Sequence, residues 1–134
     1  MRPERPERPV RIVGLATARE FFARCFAGGD PTRETLWVAH VDSAGNCVEL
    51  SCFEGDATGA AFPLRSIVLN AIQHNSAGVI VAHNHPSGDA RPSDSDCKAT
   101  RRLVLVAEAL DLAVLDHLIF AGAECTSLRQ LGLL

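Results

Sequence analysis

The residues of this chain best suited to chemistry are His83-Asn84-His85-Pro86 and, after six intervening positions, Ser93-Asp94-Ser95-Asp96. Side chains two apart on an extended strand leave from the same side, with Cα atoms about 6.6 Å apart, so His83 and His85 can reach one ion. Pro86 turns the chain off the strand, and the polar loop returns Asp96 near the start of the next helix, where its carboxylate can face the pair. Two neutral imidazoles and one carboxylate are the number and kind of ligand that a catalytic zinc uses while keeping a fourth position for water. Water activated at such a position is a hydrolytic nucleophile, so the expected chemistry is hydrolysis. The plainer reading of the same residues is a pair of surface or capping histidines beside a loop.

Those side chains need a strand that ends at His83 and a helix that begins near Ser93. Gly78 punctuates, and Val79-Ile80-Val81-Ala82 is a short apolar run of the kind buried on both faces of a sheet. Ser93 is a suitable N-cap for a helix carrying Leu103, Val106, Ala107 and Leu110 on one side. Upstream, Thr17 and Glu20 have capping-box spacing, and Phe21, Phe22, Cys25 and Phe26 recur at helical intervals up to Gly28-Gly29. The β-rich runs 36–41 and 47–53 are joined by turn-forming residues 42–46 and predict a hairpin. Gly55, Asp56, Thr58 and Gly59 mark a loop, and Pro63 starts a helix to about Asn75 with Ile67, Val68, Ala71 and Ile72 on its apolar stripe. A last strand, roughly 112–120, completes the order helix, hairpin, helix, strand, helix, strand. That order predicts an α/β fold, a single domain with a mixed sheet flanked by helices and no internal repeat.

The opening residues read Arg-Pro-Glu twice, and proline at every third position denies them helix and ladder hydrogen bonds. Residues 1–14 are therefore expected to be a flexible lead-in and 15–134 the folded domain. With a formal net charge of -3 and a pI near 5.9, the summed field repels a polyphosphate, which disfavours direct nucleic-acid binding and a nuclease reading. The most apolar region, from Leu103 onward, is cut by Glu108, Asp111 and Asp116, short of the roughly 20 residues a membrane span needs. The start lacks the apolar core of a signal peptide, so a soluble, cytoplasmic protein is expected. Cys25, Cys47, Cys52, Cys97 and Cys125 form an odd set without a CxxC pair, as buried or free thiols in a reducing compartment would.

The stretch from His83 to Asp96 resembles the His-x-His-Pro...Ser-x-x-Asp motif of JAMM (JAB/MPN-plus) metalloproteases, and the fuller string HNHPSGD...PS..D resembles their RadC branch. The likeness continues in Thr100, in Asp116-His117 followed by Leu118-Ile119, in Ser127-Leu128 and in Gly132-Leu133-Leu134. RadC proteins usually carry an N-terminal helix-hairpin-helix segment, which is not expected within these 134 residues, and often an aromatic residue where Cys125 and Thr126 stand here. The resemblance implies a cytidine-deaminase-like, JAB/MPN-type sandwich. It also implies a zinc-dependent metallohydrolase, one zinc per chain, cleaving amide or isopeptide bonds in a protein or peptide substrate within a DNA-repair or mobile-element setting. A homodimer is compatible with it, and no membrane partner is implied.

By that resemblance His83, His85 and Asp96 are the zinc ligands, and Ser93 hydrogen-bonds the water or the developing oxyanion. The general base is assigned to Glu34, because the RadC pattern has a glutamate two residues before the first apolar residue of the early strand, as in Arg33-Glu34-Thr35-Leu36. Glu49 and Glu54 compete for that role, and a salt-bridged carboxylate at a strand start is the plainer reading of Glu34. Ser93 can be simply an N-cap, and Asp94 a favourable first-turn charge. Asp116 and His117 read first as a structural pair, with orientation of a ligand histidine as the alternative. His40 and His74 have no partners by spacing, and Cys97 reads as a small buried hydrophobe. The rival functions are a catalytically inactive, zinc-stabilised scaffold in a DNA-repair context and a phosphodiesterase.

Overall fold

Successive side chains along each strand point to opposite faces of the sheet, and this alternation sorts the core into two layers. In the computed structural model, which describes residues 10–55 and 62–134, the elements are α1 (Gly14–Ala27), β1 (Thr35–Val41), β2 (Cys47–Glu54), α2 (Leu64–Gln73), β3 (Gly78–Asn84), α3 (Asp94–Ala109), β4 (Ala113–Ala121) and β5 (Glu124–Ser127). The strands form one sheet in the order β2-β1-β3-β4-β5, with β3 and β4 parallel and the other neighbours antiparallel. Leu36, Val38, Val79, Val81 and Val114 pack with α2 and α3 on one face, while Ala39, Val41, Ile80, Ala82 and Leu118 pack with α1 on the other. Because β1 and β3 are covered on both faces, they read as nearly continuous apolar runs.

Local chemistry explains where the helices stop. Ser76 N–H donates to the Ala71 carbonyl and Asn75 N–H to that of Ile72; Leu112 and Asp111 repeat the pattern on Ala107 and Glu108. These are Schellman endings, and the left-handed position in each is filled by Asn75 (φ 49) or Asp111 (φ 54), residue types that tolerate it. Each ending feeds directly into a strand of the parallel pair.

Several expectations need correction. Helix α1 begins at Gly14 rather than Thr17, and its N-cap Val13 makes no side-chain cap, so the Thr17/Glu20 pair lies inside the helix. Its entry is fixed instead by main-chain bonds, Ile12 N–H to Gly45 and Cys47 N–H to Val10. Of the expected lead-in 1–14, residues 1–9 lie outside the described residues, whereas Ile12 is buried against the hairpin turn. The expected loop residues Asp56, Thr58 and Gly59 also lie outside the described residues. The buried stripe of α3 is Asp96, Ala99, Thr100, Leu103 and Ala107; Val106 and Leu110 face solvent, as does Ile72 on α2. Strand β5 was not anticipated, because its four residues owe their form to pairing with β4. Among the described residues no helix is long and apolar enough to cross a membrane.

Candidate functional site

Strand pairing brings the chemistry to one end of the sheet. His83 stands beside Leu36 at the start of antiparallel β1 and beside Ile119 near the end of parallel β4. His83 shares the face of Val79 and Val81, so its ring points toward α3. One residue beyond β3, His85 N–H donates to the Phe120 carbonyl, anchoring the turn that Pro86 begins.

Asp96 arrives by helix chemistry. Ser93 caps α3: its hydroxyl accepts from Asp96 N–H at 3.0 Å, and Ser93 N–H donates to Asp96 Oδ2 at 2.8 Å, a reciprocal capping box. The same carboxylate meets both histidines. His85 Nε2 lies 3.1 Å from Oδ2, His83 Nε2 lies 3.3 Å from Oδ1, and the two Nε2 atoms are 2.9 Å apart. His85 Nδ1 is 2.7 Å from the Asp89 carbonyl, which can only accept, so Nδ1 carries the hydrogen and Nε2 offers a lone pair to the centre. Asp89 is itself held by a bidentate contact with Arg91, whose hydrogen bonds push the Asp89 carboxyl down to about 2.

Burial alone would raise the Asp96 carboxyl. The adjoining His83 ring and the Ser93 hydrogen bonds outweigh it, so the group stays well below the usual carboxylate range and ionised. Asp96 Oδ1 is nevertheless buried with no hydrogen-bond partner. Behind His83, fully buried His117 is pushed down to about 3, chiefly by burial, and is therefore neutral.

Glu34 lies just before β1, the strand paired with β3. Ligand atoms of Glu34, His83 and His85 all fall within 4.8 Å of one another. The residue between the histidines arranges this. Asn84 Oδ1 accepts from Thr35 N–H at 2.7 Å and Asn84 Nδ2 donates to the Arg33 carbonyl at 2.8 Å, gripping the main chain on both sides of Glu34. Sequence reasoning assigned Asn84 no role; its type, an amide able to donate and accept at once, was the available signal. Of the competing carboxylates, Glu49 pairs with His74 at 2.8 Å and sits opposite His40, toward the far end of β1. Glu54 pairs with Thr35 at the near end but is exposed and lines an open groove of about 980 Å³ that also reaches His85 and is walled by Phe26, Trp37 and Phe120.

The donor set fits zinc. Atoms at zinc's usual ligand distances stand about 3.3 Å apart on a tetrahedron, close to the 2.9 Å between the two histidine Nε2 atoms and to the 3.1 and 3.3 Å at which Asp96 Oδ2 and Oδ1 respectively meet His85 and His83. Asp96 Oδ1, buried without a hydrogen-bond partner and facing an imidazole nitrogen, is the kind of oxygen that a bound cation satisfies. Half-buried Glu34 offers a second carboxylate within 4.8 Å of the histidines.

A five-stranded mixed sheet between helices, with a His-x-His pair and a helix-capping aspartate at one end, defines an α/β domain of the JAB/MPN type. Residues 14–133 match the family described as the RadC-like JAB domain, and the chain belongs to that family. Among similar proteins, a UPF0758 protein of Cellvibrio japonicus is 41% identical over 101 residues, covering 75% of this chain and 45% of its own length. Another, from Acidithiobacillus ferrooxidans, is 40% identical over 104 residues, 77% of this chain and 46% of its own. A third, from Vibrio parahaemolyticus, is 36% identical with the same coverage. The chain thus spans about half the length of the curated relatives it matches.

Proposed function

We propose that this domain is a zinc-dependent hydrolase of amide or isopeptide bonds acting on peptide or protein substrates. The observation that carries the reading is the convergence of His83 Nε2, His85 Nε2 and the Asp96 carboxylate within 2.9 to 3.3 Å, in a pocket where Asp96 Oδ1 has no donor. A zinc ion held by these three residues supplies Lewis-acid polarisation of a carbonyl and acidifies water.

The chain's own groups then divide the work. Glu34, whose carboxylate comes within 4.8 Å of both histidine rings, accepts the proton of the attacking water and returns it to the departing amine. Ser93 lies on the exposed rim, and its hydroxyl already accepts from Asp96 N–H, which leaves its single proton to donate toward the carboxylate or a developing oxyanion. The groove beside His85 is open, suiting an extended peptide segment better than an enclosed small molecule.

The test is metal content by elemental mass spectrometry on protein purified without a metal-binding tag, paired with cleavage of peptide and isopeptide libraries. The expected result is about one zinc per chain in wild type and Glu34→Gln, loss of zinc in Asp96→Ala, and cleavage by wild type alone. Protein that takes up no zinc even when it is added would overturn the reading. Zinc without cleavage in any library would favour a metal-stabilised scaffold, and an active Glu34→Gln would move the base to another carboxylate.

A further inference from the structure

We propose that His117 and Thr100 are positioning residues that hold His83 in the one neutral tautomer able to ligate a metal, before any ion arrives. The inference rests on the zinc reading above for its purpose, though not for its geometry. His83 Nδ1 lies 2.6 Å from His117 Nε2, His117 Nδ1 lies 2.6 Å from Thr100 Oγ1, and Thr100 Oγ1 donates to the Asp96 main-chain carbonyl at 2.8 Å. All three side chains are buried, with relative exposures of 0% for His83, 2% for His117 and 1% for Thr100, so water cannot stand in for any member.

The direction of this chain follows from counting protons. A carbonyl oxygen only accepts, and a threonine hydroxyl has one hydrogen, so the Thr100 hydrogen is committed to Asp96. Toward His117 the hydroxyl oxygen must then accept, which places the imidazole hydrogen of His117 on Nδ1 and leaves its Nε2 bare. Bare His117 Nε2 in turn requires a hydrogen on His83 Nδ1, and His83 Nε2 is left with its lone pair aimed at His85 and Asp96. The reverse arrangement, with every proton shifted one place, would put the Thr100 oxygen and the Asp96 carbonyl 2.8 Å apart with no hydrogen between them. It would also turn His83 Nε2 into a donor, unable to bind a metal.

The chain closes on itself. It leaves a ligand on β3, crosses β4 through His117 and returns through Thr100 to the main chain of Asp96, whose carboxylate faces His83 again. Thr100 is one helical turn beyond Asp96, which is why its hydroxyl reaches that carbonyl. Two ligands from different layers are thereby oriented by one buried circuit. Outer partners of this kind fix both tautomer and ring orientation.

The experiment is a long-range proton–nitrogen correlation spectrum of the metal-free full chain at a pH where imidazoles are neutral, with a competitive zinc titration of wild type, Thr100→Val and Thr100→Ser. Metal-free wild type is expected to show His83 protonated at Nδ1. Thr100→Val, which keeps the shape but removes the hydroxyl, is expected to weaken zinc binding about 10- to 100-fold, and Thr100→Ser to restore it. His83 protonated at Nε2 in metal-free wild type, or wild-type zinc affinity in Thr100→Val, would overturn the inference. Should the valine variant fail to fold, the wild-type spectrum still decides. Nδ1 protonation in a chain that binds no zinc would support the circuit while removing the zinc reading.

Discussion

At the scale of single side chains, two buried histidines of this domain live under different conditions. His117 sits inside a chain of hydrogen bonds, whereas both ring nitrogens of fully buried His40 lack any partner. His40 faces Glu49 across the β1/β2 ladder and His74 at the end of α2, with Val79 beside it on β3. Burial, and secondarily the His74 charge, pushes His40 down to about 4 against the opposing pull of Glu49. The folded state thus binds the proton more weakly than the unfolded chain, whose histidine titrates at 6.5. Between pH 6.5 and about 4 the unfolded chain holds more protons, so stability falls as pH falls through that window and is level above it. The shift corresponds to about 3 kcal/mol at the acid end. His40→Leu is expected to be at least as stable as wild type at neutral pH, since no hydrogen bond is lost, and to remove that part of the acid sensitivity. The same-direction part from His117 remains. Urea midpoints measured from pH 7 to 4 check this; parallel curves for the two proteins would refute it.

At the scale of elements, the site depends on how segments grip one another. Asn84→Ala removes the two short bonds that join the end of β3 to the main chain around Glu34. Each such bond contributes about 1 kcal/mol, so the melting temperature is expected to drop by several degrees. Zinc content should stay at the wild-type level while hydrolytic turnover falls, because the ligands do not rest on Asn84 and Glu34 does. A variant losing zinc and turnover together would place Asn84 with the ligand set instead. These dependences also mark how far the sequence was legible. The positions of His83, His85 and Asp96 follow from strand period and N-cap chemistry, which are local rules, and those residues do meet. The meeting of His117 with His83 needs the parallel register that sets Val81 opposite His117, and no local pattern encodes it. The Thr17/Glu20 spacing satisfied a capping rule, yet tertiary main-chain bonds at Val10 and Ile12 had already started the helix at Gly14. Val106 and Leu110 matched an apolar stripe with Leu103 and Ala107, but the face that α3 buries runs through Asp96, Ala99, Thr100, Leu103 and Ala107, the same face that carries Asp96 to the histidines.

At the scale of the molecule, the candidate centre joins side chains from four separate segments of the fold. His83 and His85 belong to the sheet and the turn beyond it, Asp96 to the helical layer and Glu34 to the segment entering β1. An ion bound by these groups in the folded state alone must stabilise that state, by about 2.7 kcal/mol when free metal stands at one hundred times its dissociation constant. For a domain of this size the melting temperature should then rise by about 10 °C with zinc and return on chelation. Asp96→Ala should melt at one temperature with or without zinc. Hydrogen exchange locates the effect. Amides at the end of β3, the first turn of α3 and the end of β4 should slow when zinc is added. Those at the opposite end of the sheet, where Val41 pairs with Gly78, should change only as far as global unfolding does. Slowing spread evenly over the sheet would mean that zinc acts on global stability without first ordering the site. A wild-type melting temperature indifferent to zinc and chelator would mean that the three converging ligands hold no ion at all.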